Sequence, residues 1–333
     1  MGKKVVRAIS LGIIVLFVLV SLSPGQSMIF RNEPASTLRT QIYYPTDDRS
    51  TGNGNVEYME VRNGSSQGHN FEWVALVKFN ISSIPSNAKI ISATLNLYYW
   101  QWRDNDPADR PLNLYKAITD WNEETLEWYN QPNYDTQSTG NSSVPETPGL
   151  WMEWDVTKDI QSFVNGTINN YGWKIGDENY WPDGDIPVIS FRTKEYGNYI
   201  PYLKVLINLP PDAPLITGPA KGKVGTPYIY NFTAIDPEGN EMYYFIDWGD
   251  GTNSSWIGPY SSGIEIPKSH TWSKKGTYTI IAKAKDIYGN EGDWGALSLT
   301  MPYSYDIPLI QFWEKLLERF PNAFPILRHL LGY

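Results

Sequence analysis

The sequence predicts an all-β protein: a jelly-roll-like β-sandwich, then an immunoglobulin-like β-sandwich, closed by a short C-terminal amphipathic helix. Three observations carry that expectation. Short runs of alternating apolar and polar residues recur along the chain, the period-2 signature of strands with one buried face. Turn-forming clusters such as Asp104-Asn105-Asp106-Pro107 and Pro182-Asp183-Gly184-Asp185 separate them. The composition, with 23 Tyr, 14 Trp, 11 Phe, 27 Gly and 24 Pro in 333 residues, suits strands and turns better than helices.

The chain opens with Lys3, Lys4 and Arg7, continues as a small-or-apolar run from Ala8 to Leu22, and exits through Ser23-Pro24-Gly25-Gln26-Ser27. That order predicts a secretory signal peptide over residues 1–27. The run is shorter than the roughly 20 residues that span a bilayer, so cleavage is expected over retention as a signal anchor. The expected location is secreted, or retained at the cell surface. Those three cations are the charged residues of the segment, so the remainder carries −12 where the whole chain carries −9. So acidic a chain repels phosphate backbones, and nucleic acid is not an expected partner. The absence of cysteine removes thiol nucleophiles and thiolate-bound metals, and leaves each domain to be held by its own core. Asn-x-Ser/Thr sequons at Asn63, Asn80, Asn141, Asn165, Asn231 and Asn253 are candidate glycosylation sites of an exported chain.

Residues 28–209 are expected to form the first domain. Val74–Phe79, Ala93–Trp100, Leu112–Lys116, Pro187–Phe191 and Tyr202–Ile207 read as strands, with Leu95 and Leu97 on one face. A helix interrupts them after Asp155: Thr157 is placed to cap its first turn, Val156, Ile160, Phe163 and Val164 share a face, and Asn165-Gly166 ends it. Leu209-Pro210-Pro211-Asp212-Ala213-Pro214 stops both helix and ladder, marking a linker over 210–214. Residues 215–302 are expected to form the second domain, with alternating runs at Tyr228–Ala234 and Tyr278–Lys285 and a tight turn at Asp250-Gly251. In the tail, 303–333, Leu309, Phe312, Trp313, Leu316, Leu317 and Phe320 line one face of a helix that Pro321 breaks. Its polar face balances Lys315 and Arg319 with Glu314 and Glu318, so docking on a cell-surface protein is expected before lying on a membrane or packing on its own domain.

Several of these words carry a resemblance. Leu76–Pro85, Ile90–Tyr98, Trp121-Asn122-Glu123-Glu124-Thr125-Leu126-Glu127-Trp128-Tyr129-Asn130-Gln131-Pro132, the Asp155-Val156-Thr157 helix start and Pro201–Val205 together resemble the disaggregatase-related (DNRLRE) domain. That resemblance implies a jelly-roll sandwich of exported archaeal and bacterial proteins, grouped with carbohydrate-binding modules. Ile246-Asp247-Trp248-Gly249-Asp250-Gly251-Thr252, His270-Thr271-Trp272 and Gly276–Ile280 resemble the polycystic-kidney-disease (PKD) domain, which implies a non-catalytic spacer or interaction module.

Binding is expected before catalysis. The chain has three histidines, His69, His270 and His329, and neither a His-Glu-x-x-His pair nor a phosphate-binding loop. Glu123 and Glu124 are adjacent, so on an extended chain they cannot face each other across a glycosidic bond. Trp121 and Trp128 are expected to be largely buried, locking their loop to the sandwich. Trp100, Trp102, Tyr180 and Trp181 flank polar loops and are the candidate sugar-stacking residues; Arg192, in a segment loosely matching a late word of the first family, joins them. No cofactor is required. Calcium is a candidate ligand of Asp104, Asp106 and Asp109 and of Asp183 and Asp185, against the plainer reading that Asp is a good turn residue. The leading expectation is a non-catalytic protein whose first domain binds polysaccharide or a cell-envelope glycan. A structural envelope or adhesion protein that binds other proteins, and a polysaccharide-degrading enzyme, stand as alternatives.

Overall fold

The computed structural model describes residues 38–51, 57–66, 69–181 and 186–301, together with Lys315, Leu316, Glu318 and Arg319. The signal-peptide segment and the linkage of the tail lie outside them; the four tail residues are helical.

The first sandwich runs through β1 (Arg39–Tyr43), β2 (Pro45–Ser50), β3 (Tyr58–Ser66), β4 (His69–Trp73), β5 (Ala75–Phe79), β6 (Lys89–Arg103), β7 (Pro111–Lys116), β8 (Gly140–Ser143) and β9 (Leu150–Asp155). After the helix α1 (Thr157–Val164) come β10 (Trp173–Asp177), β11 (Val188–Arg192) and β12 (Tyr202–Asn208). One antiparallel sheet has the order β1-β12-β6-β11-β3-β4, with β9 also on β6; the other has the order β2-β5-β10-β7-β8. Their inner faces share one core in which Leu95, Leu97, Val77, Leu114, Phe191 and Val205 are fully buried. The tryptophans of this core are satisfied as well as buried: Trp154 Nε1 donates to Leu112 O (3.0 Å) and Trp173 Nε1 to Asp159 Oδ2 (2.9 Å).

The helix is where the periodicity places it, with Ile160 and Phe163 buried and Gly166 (φ +72°) turning the chain beyond Asn165. The cap differs. Asp155 Oδ1 accepts from both N (2.9 Å) and Oγ1 (2.6 Å) of Thr157, while Thr157 Oγ1 in turn accepts from Ala93 N (2.9 Å). The threonine ties the helix to β6 instead of closing its first turn, because the aspartate reaches the orphan N–H first.

On the outer face of the second sheet, Val74, Leu76, Ala117, Trp121 and Leu126 form a satellite cluster. It pins the loop after β7 across the sheet, and a single 3-10 turn at Glu123–Thr125 is capped by Asn122.

The second sandwich comprises β13 (Leu215–Thr217), β14 (Tyr228–Thr233), β15 (Met242–Asp247), β16 (Asn253–Tyr260), β17 (Ile266–His270), β18 (Gly276–Asp286) and β19 (Gly295–Met301). The orders β13-β14-β17 and β16-β15-β18-β19 give the seven-strand, two-sheet count of immunoglobulin-like domains. Trp248, Trp272, Tyr230 and Phe232 pack edge-to-face at its centre. Between β15 and β16 the chain turns over five residues, Trp248–Thr252, closed by Trp248 N to Thr252 O (3.1 Å). His270 stacks on Trp248 at 4.5 Å and its Nε2 meets Asp250 Oδ2 at 2.8 Å, a structural pairing.

Candidate functional site

The outer face of the β6 sheet carries the candidate site. Strand alternation puts Tyr98 and Trp100 of β6 outward while Leu97 and Tyr99 enter the core. Opposite Tyr98, β9 places Trp151; opposite Asn96, β12 places Tyr202 and β9 places Glu153. Trp151 meets Tyr98 (5.3 Å) and Tyr202 (4.9 Å) edge-on. The connection from β11 to β12 adds Tyr199, stacked on Tyr98 at 4.1 Å, and Tyr196. The result is a ribbon of rings over β9, β6 and β12.

At one end of the ribbon the Arg192 guanidinium lies between two rings, 3.5 Å from the centroid of Trp100 and 3.4 Å from that of Tyr196. Trp100 is 36% exposed and Arg192 only 4%. Arg192 Nε has no hydrogen-bond partner, and among the described residues no carboxylate pairs with this cation. Two aromatic faces are its compensation, which is less than a desolvated guanidinium ordinarily has.

The other sequence candidates are placed elsewhere. Trp102 packs against the core cluster, since Ile189, its partner across the ladder, is a core residue. Trp181 lies under Arg110 (4.1 Å) and bridges the backbone of Gly64, where a Cβ would approach Trp181 O to 2.7 Å. Tyr180 is exposed and donates to Asn70 Oδ1 (3.0 Å). Asp104 pairs with Arg62 (3.5 Å), Asp106 Oδ1 accepts from Ala108 N (3.0 Å), and Asp109 sits at φ +62° in the same turn. Asp183 and Asp185 lie outside the described residues. Of the sequons, Asn80, Asn141, Asn165 and Asn253 are exposed; Asn231 is half-buried, and Asn63 is half-buried with its amide donating to Asp177 O (2.8 Å).

The loop after β7 holds a second surface. Trp121 is buried as expected, its Nε1 bonded to Tyr171 O (2.8 Å). Trp128 is not: it is 70% exposed and Tyr129 beside it 72%, because only Trp121 and Leu126 reach the satellite cluster. Next to them a cleft of about 490 Å³ is lined by Asp47, Lys78, Asp120, Asn122, Thr125 and Asn130. Glu123 points the other way: its carboxylate accepts from Asp48 N (3.2 Å) and from Lys194 Nζ. Asp48, Glu123 and Glu195 have the carboxylate spacing of a metal site, and the Lys194 ammonium lies among them as the cation. Burial pushes the Asp48 carboxyl up to about 7 in spite of Lys194. Burial also opposes the charge on Lys194, but Glu123, Glu195 and Asp48 together raise its pKa. The spacing Gly-x-Ser-x-Gly occurs at Gly64–Gly68, but Ser66 ends β3 in an antiparallel pairing with β4, not the strand-to-helix turn of a nucleophile elbow.

Residues 43–206 match carbohydrate-binding module family 96. The match takes in just under half of the chain, spans β6, β9 and β11 and ends within β12. No curated protein matches the chain. Among solved structures, a PKD domain of an M14-like peptidase from Thermoplasmatales archaeon SCGC AB-540-F20 is 55% identical over 28% of this chain and 98% of that one (TM-score 0.28). A CARDB domain from Pyrococcus furiosus is 18% identical over 27% of this chain and 94% of that one (TM-score 0.22). The glycoside hydrolase domain of Endo-D from Streptococcus pneumoniae R6 is 10% identical over 80% of this chain and 36% of that one (TM-score 0.22).

Of the site, Trp100 and Arg192 were legible from the sequence and are brought together. Tyr98, Trp151 and Tyr202 carry a signal in the sequence, since each shares strand parity with outward residues. Tyr196, Tyr199, Trp128 and Tyr129 sit in loops, where no periodicity reports orientation.

Proposed function

We propose that the family 96 module binds polysaccharide along the ring ribbon of its β6 sheet, in an exported, non-catalytic protein whose second sandwich serves as a spacer or interaction module. The observation that carries this reading is the cluster of Trp100, Tyr196 and Arg192 continuing into Tyr98, Tyr199, Trp151 and Tyr202. Sugar rings bury C–H surface on aromatic faces while polar groups at the margin take the hydroxyls. Glu153 and Lys204 are exposed on the adjoining strands β9 and β12, where they can take those hydroxyls. The signal-peptide pattern of residues 1–27, the tail and the sequons support secretion, or retention at the cell surface.

The test is calorimetric titration of the full chain against a panel of neutral and uronic-acid polysaccharides. Trp100→Ala is expected to weaken binding by about tenfold, the equivalent of about 1.4 kcal/mol. Binding to no member of the panel sinks the proposal, and release of reducing ends supports an enzyme instead. A second reading has its own observation: Trp128 and Tyr129 stand exposed beside a polar cleft. In that case Trp128→Ala abolishes binding and Trp100→Ala leaves it intact.

A further inference from the structure

The outer face of the four-stranded sheet in the second sandwich carries rings where strand alternation ordinarily leaves polar groups. On β15, Met242, Tyr244 and Ile246 are buried, so Tyr243, Phe245 and Asp247 point outward. On β18, Ala282 and Ala284 are buried, so Lys283 and Lys285 point outward. β15 lies between β16 and β18, and two rings on the outside of an inner strand have no core to serve.

The register gathers more rings around them. Phe245 stands opposite Trp256 of β16 on one side and Lys283 of β18 on the other. Tyr243 stands opposite Lys285. Gly295 of β19 pairs with Ala282, which brings Trp294, the residue before it, alongside Lys283. The Phe245 centroid is 5.8 Å from that of Trp256 and 6.1 Å from that of Trp294. Trp294 is 47% exposed, and Tyr243, Phe245 and Trp256 are half-buried.

Both lysines are laid on these rings. Lys285 Nζ lies 4.2 Å from the centroid of Trp256 and 5.9 Å from that of Tyr243, and Lys283 Nζ lies 5.2 Å from that of Trp294. Lys283 also has a carboxylate, Glu291 at 2.7 Å. Among the described residues Lys285 has none. Asp247 turns to its own loop, where Oδ1 accepts from Gly249 N (2.8 Å). The face therefore offers one ammonium held in place by two rings, a second shared with Glu291, and an indole half open to solvent.

We propose that this face binds a polysaccharide carrying carboxylates at intervals, with Lys285 pairing a uronate and Trp294, Trp256 and Phe245 covering the C–H surface of the neighbouring sugars. An acidic sugar presents the complement of a fixed cation beside aromatic surface: a carboxylate on a ring with apolar C–H faces. The chain carries −9 overall, so it repels a densely charged polyanion at range, and the attraction has to come from contact. That favours a polymer in which acidic and neutral sugars alternate over one charged at every unit. The second sandwich then acts as the interaction module of the proposed function, through a face that shares no residue with the ring ribbon of the first. Two glycan faces on one chain hold a long polymer more tightly than either alone.

The experiment is calorimetric titration of the full chain with hyaluronate, which alternates glucuronate with a neutral sugar, and with its methyl ester, which lacks the charge. Trp100→Ala is the background, so that the ribbon of the first sandwich does not mask the second face. This chain is expected to bind hyaluronate, and to bind the ester about tenfold more weakly. Lys285→Gln added to it is expected to weaken hyaluronate about tenfold and to leave the ester unchanged, which loss of a merely structural lysine would not do. Trp294→Ala added instead is expected to weaken both. No binding of hyaluronate to the Trp100→Ala chain overturns the proposal, and if the wild type does bind, the ribbon stands. Binding that Trp100→Ala leaves unchanged and Lys285→Gln reduces supports this face and not the ribbon. Affinity that neither added substitution alters overturns the proposal, as does a Lys285→Gln loss equal for acid and ester. Should Lys285→Gln fail to fold, Trp294→Ala decides alone, and unchanged affinity in it overturns the face.

Discussion

Asp48 shows how a single residue in a polar strand becomes a buried charge without being a ligand site. It is buried in β2, accepts from Lys194 N (2.8 Å) and Nζ (3.1 Å), and burial raises its carboxyl from an ordinary 3.8 to about 7. A raised carboxyl binds its proton more tightly when folded, so the stabilisation is complete below the unfolded value and is lost as pH rises through the folded one. The expected outcome is a melting-temperature contribution that falls between about pH 4 and pH 7 for the wild type, while Asp48→Asn removes that slope. A parallel descent of both proteins in a pH-stepped thermal melt would exclude Asp48 as the titrating group. The same residue explains why three clustered carboxylates here are not offered as a metal centre: Lys194 already supplies the positive charge.

At the scale of elements, the β15–β16 turn separates two demands on glycine. Gly249 (φ +76°) and Gly251 (φ +91°) both occupy the left-handed region, but a Cβ on Gly249 would stand 2.5 Å from Thr279 O, whereas one on Gly251 meets nothing. Gly251→Ala is expected to cost about 1–2 kcal/mol, the backbone term alone. Gly249→Ala is expected to cost more, because β18 has to move away from the turn as well. Urea unfolding followed by tryptophan fluorescence measures both; equal losses would show that the close approach to Thr279 carries no weight. The short connection also holds Asp250 against His270, with hydrogen bonds from Thr252 and His270 drawing its carboxyl below the usual range although burial works the other way.

The whole molecule depends on how its linker is seated. A Cβ on Gly292 would stand 2.0 Å from Pro211 O, and one on Gly295 would stand 1.8 Å from Pro214 O, so the proline-rich segment lies directly against these two backbones. Asp212 N donates to Ile235 O (2.9 Å), fastening its middle. Gly292→Ala and Gly295→Ala are therefore expected to unseat the linker while both cores stay folded. Small-angle scattering would report a larger radius of gyration and limited proteolysis a new cut near residues 210–214. Unchanged scattering would mean that the linker tolerates displacement. The join matters to the proposed glycan surface only through presentation, since every ring of the ribbon belongs to the first sandwich.

The sequence by itself determined the all-β class, the positions of β5, β6, β7, β11, β12, β14 and β18, and the helix at Thr157–Val164. In those segments alternation or 3.6-residue periodicity follows directly from having one face in a core. It did not determine β2, whose Pro-Thr-Asp-Asp-Arg-Ser is polar throughout and becomes a strand only because β5 and the Lys194 segment pair its groups. Trp100 and Trp102 looked equivalent in the chain, yet an irregular register opposite Ser190 and Phe191 leaves one exposed and the other against the core. Tyr196 and Tyr199 carried no orientation signal, since a loop has no period. Only the tertiary structure, by closing that loop over β6, put a guanidinium between two rings. Local pattern reports which side of an element is wet; which distant residues meet there is set by sheet order and register, and neither is a local property.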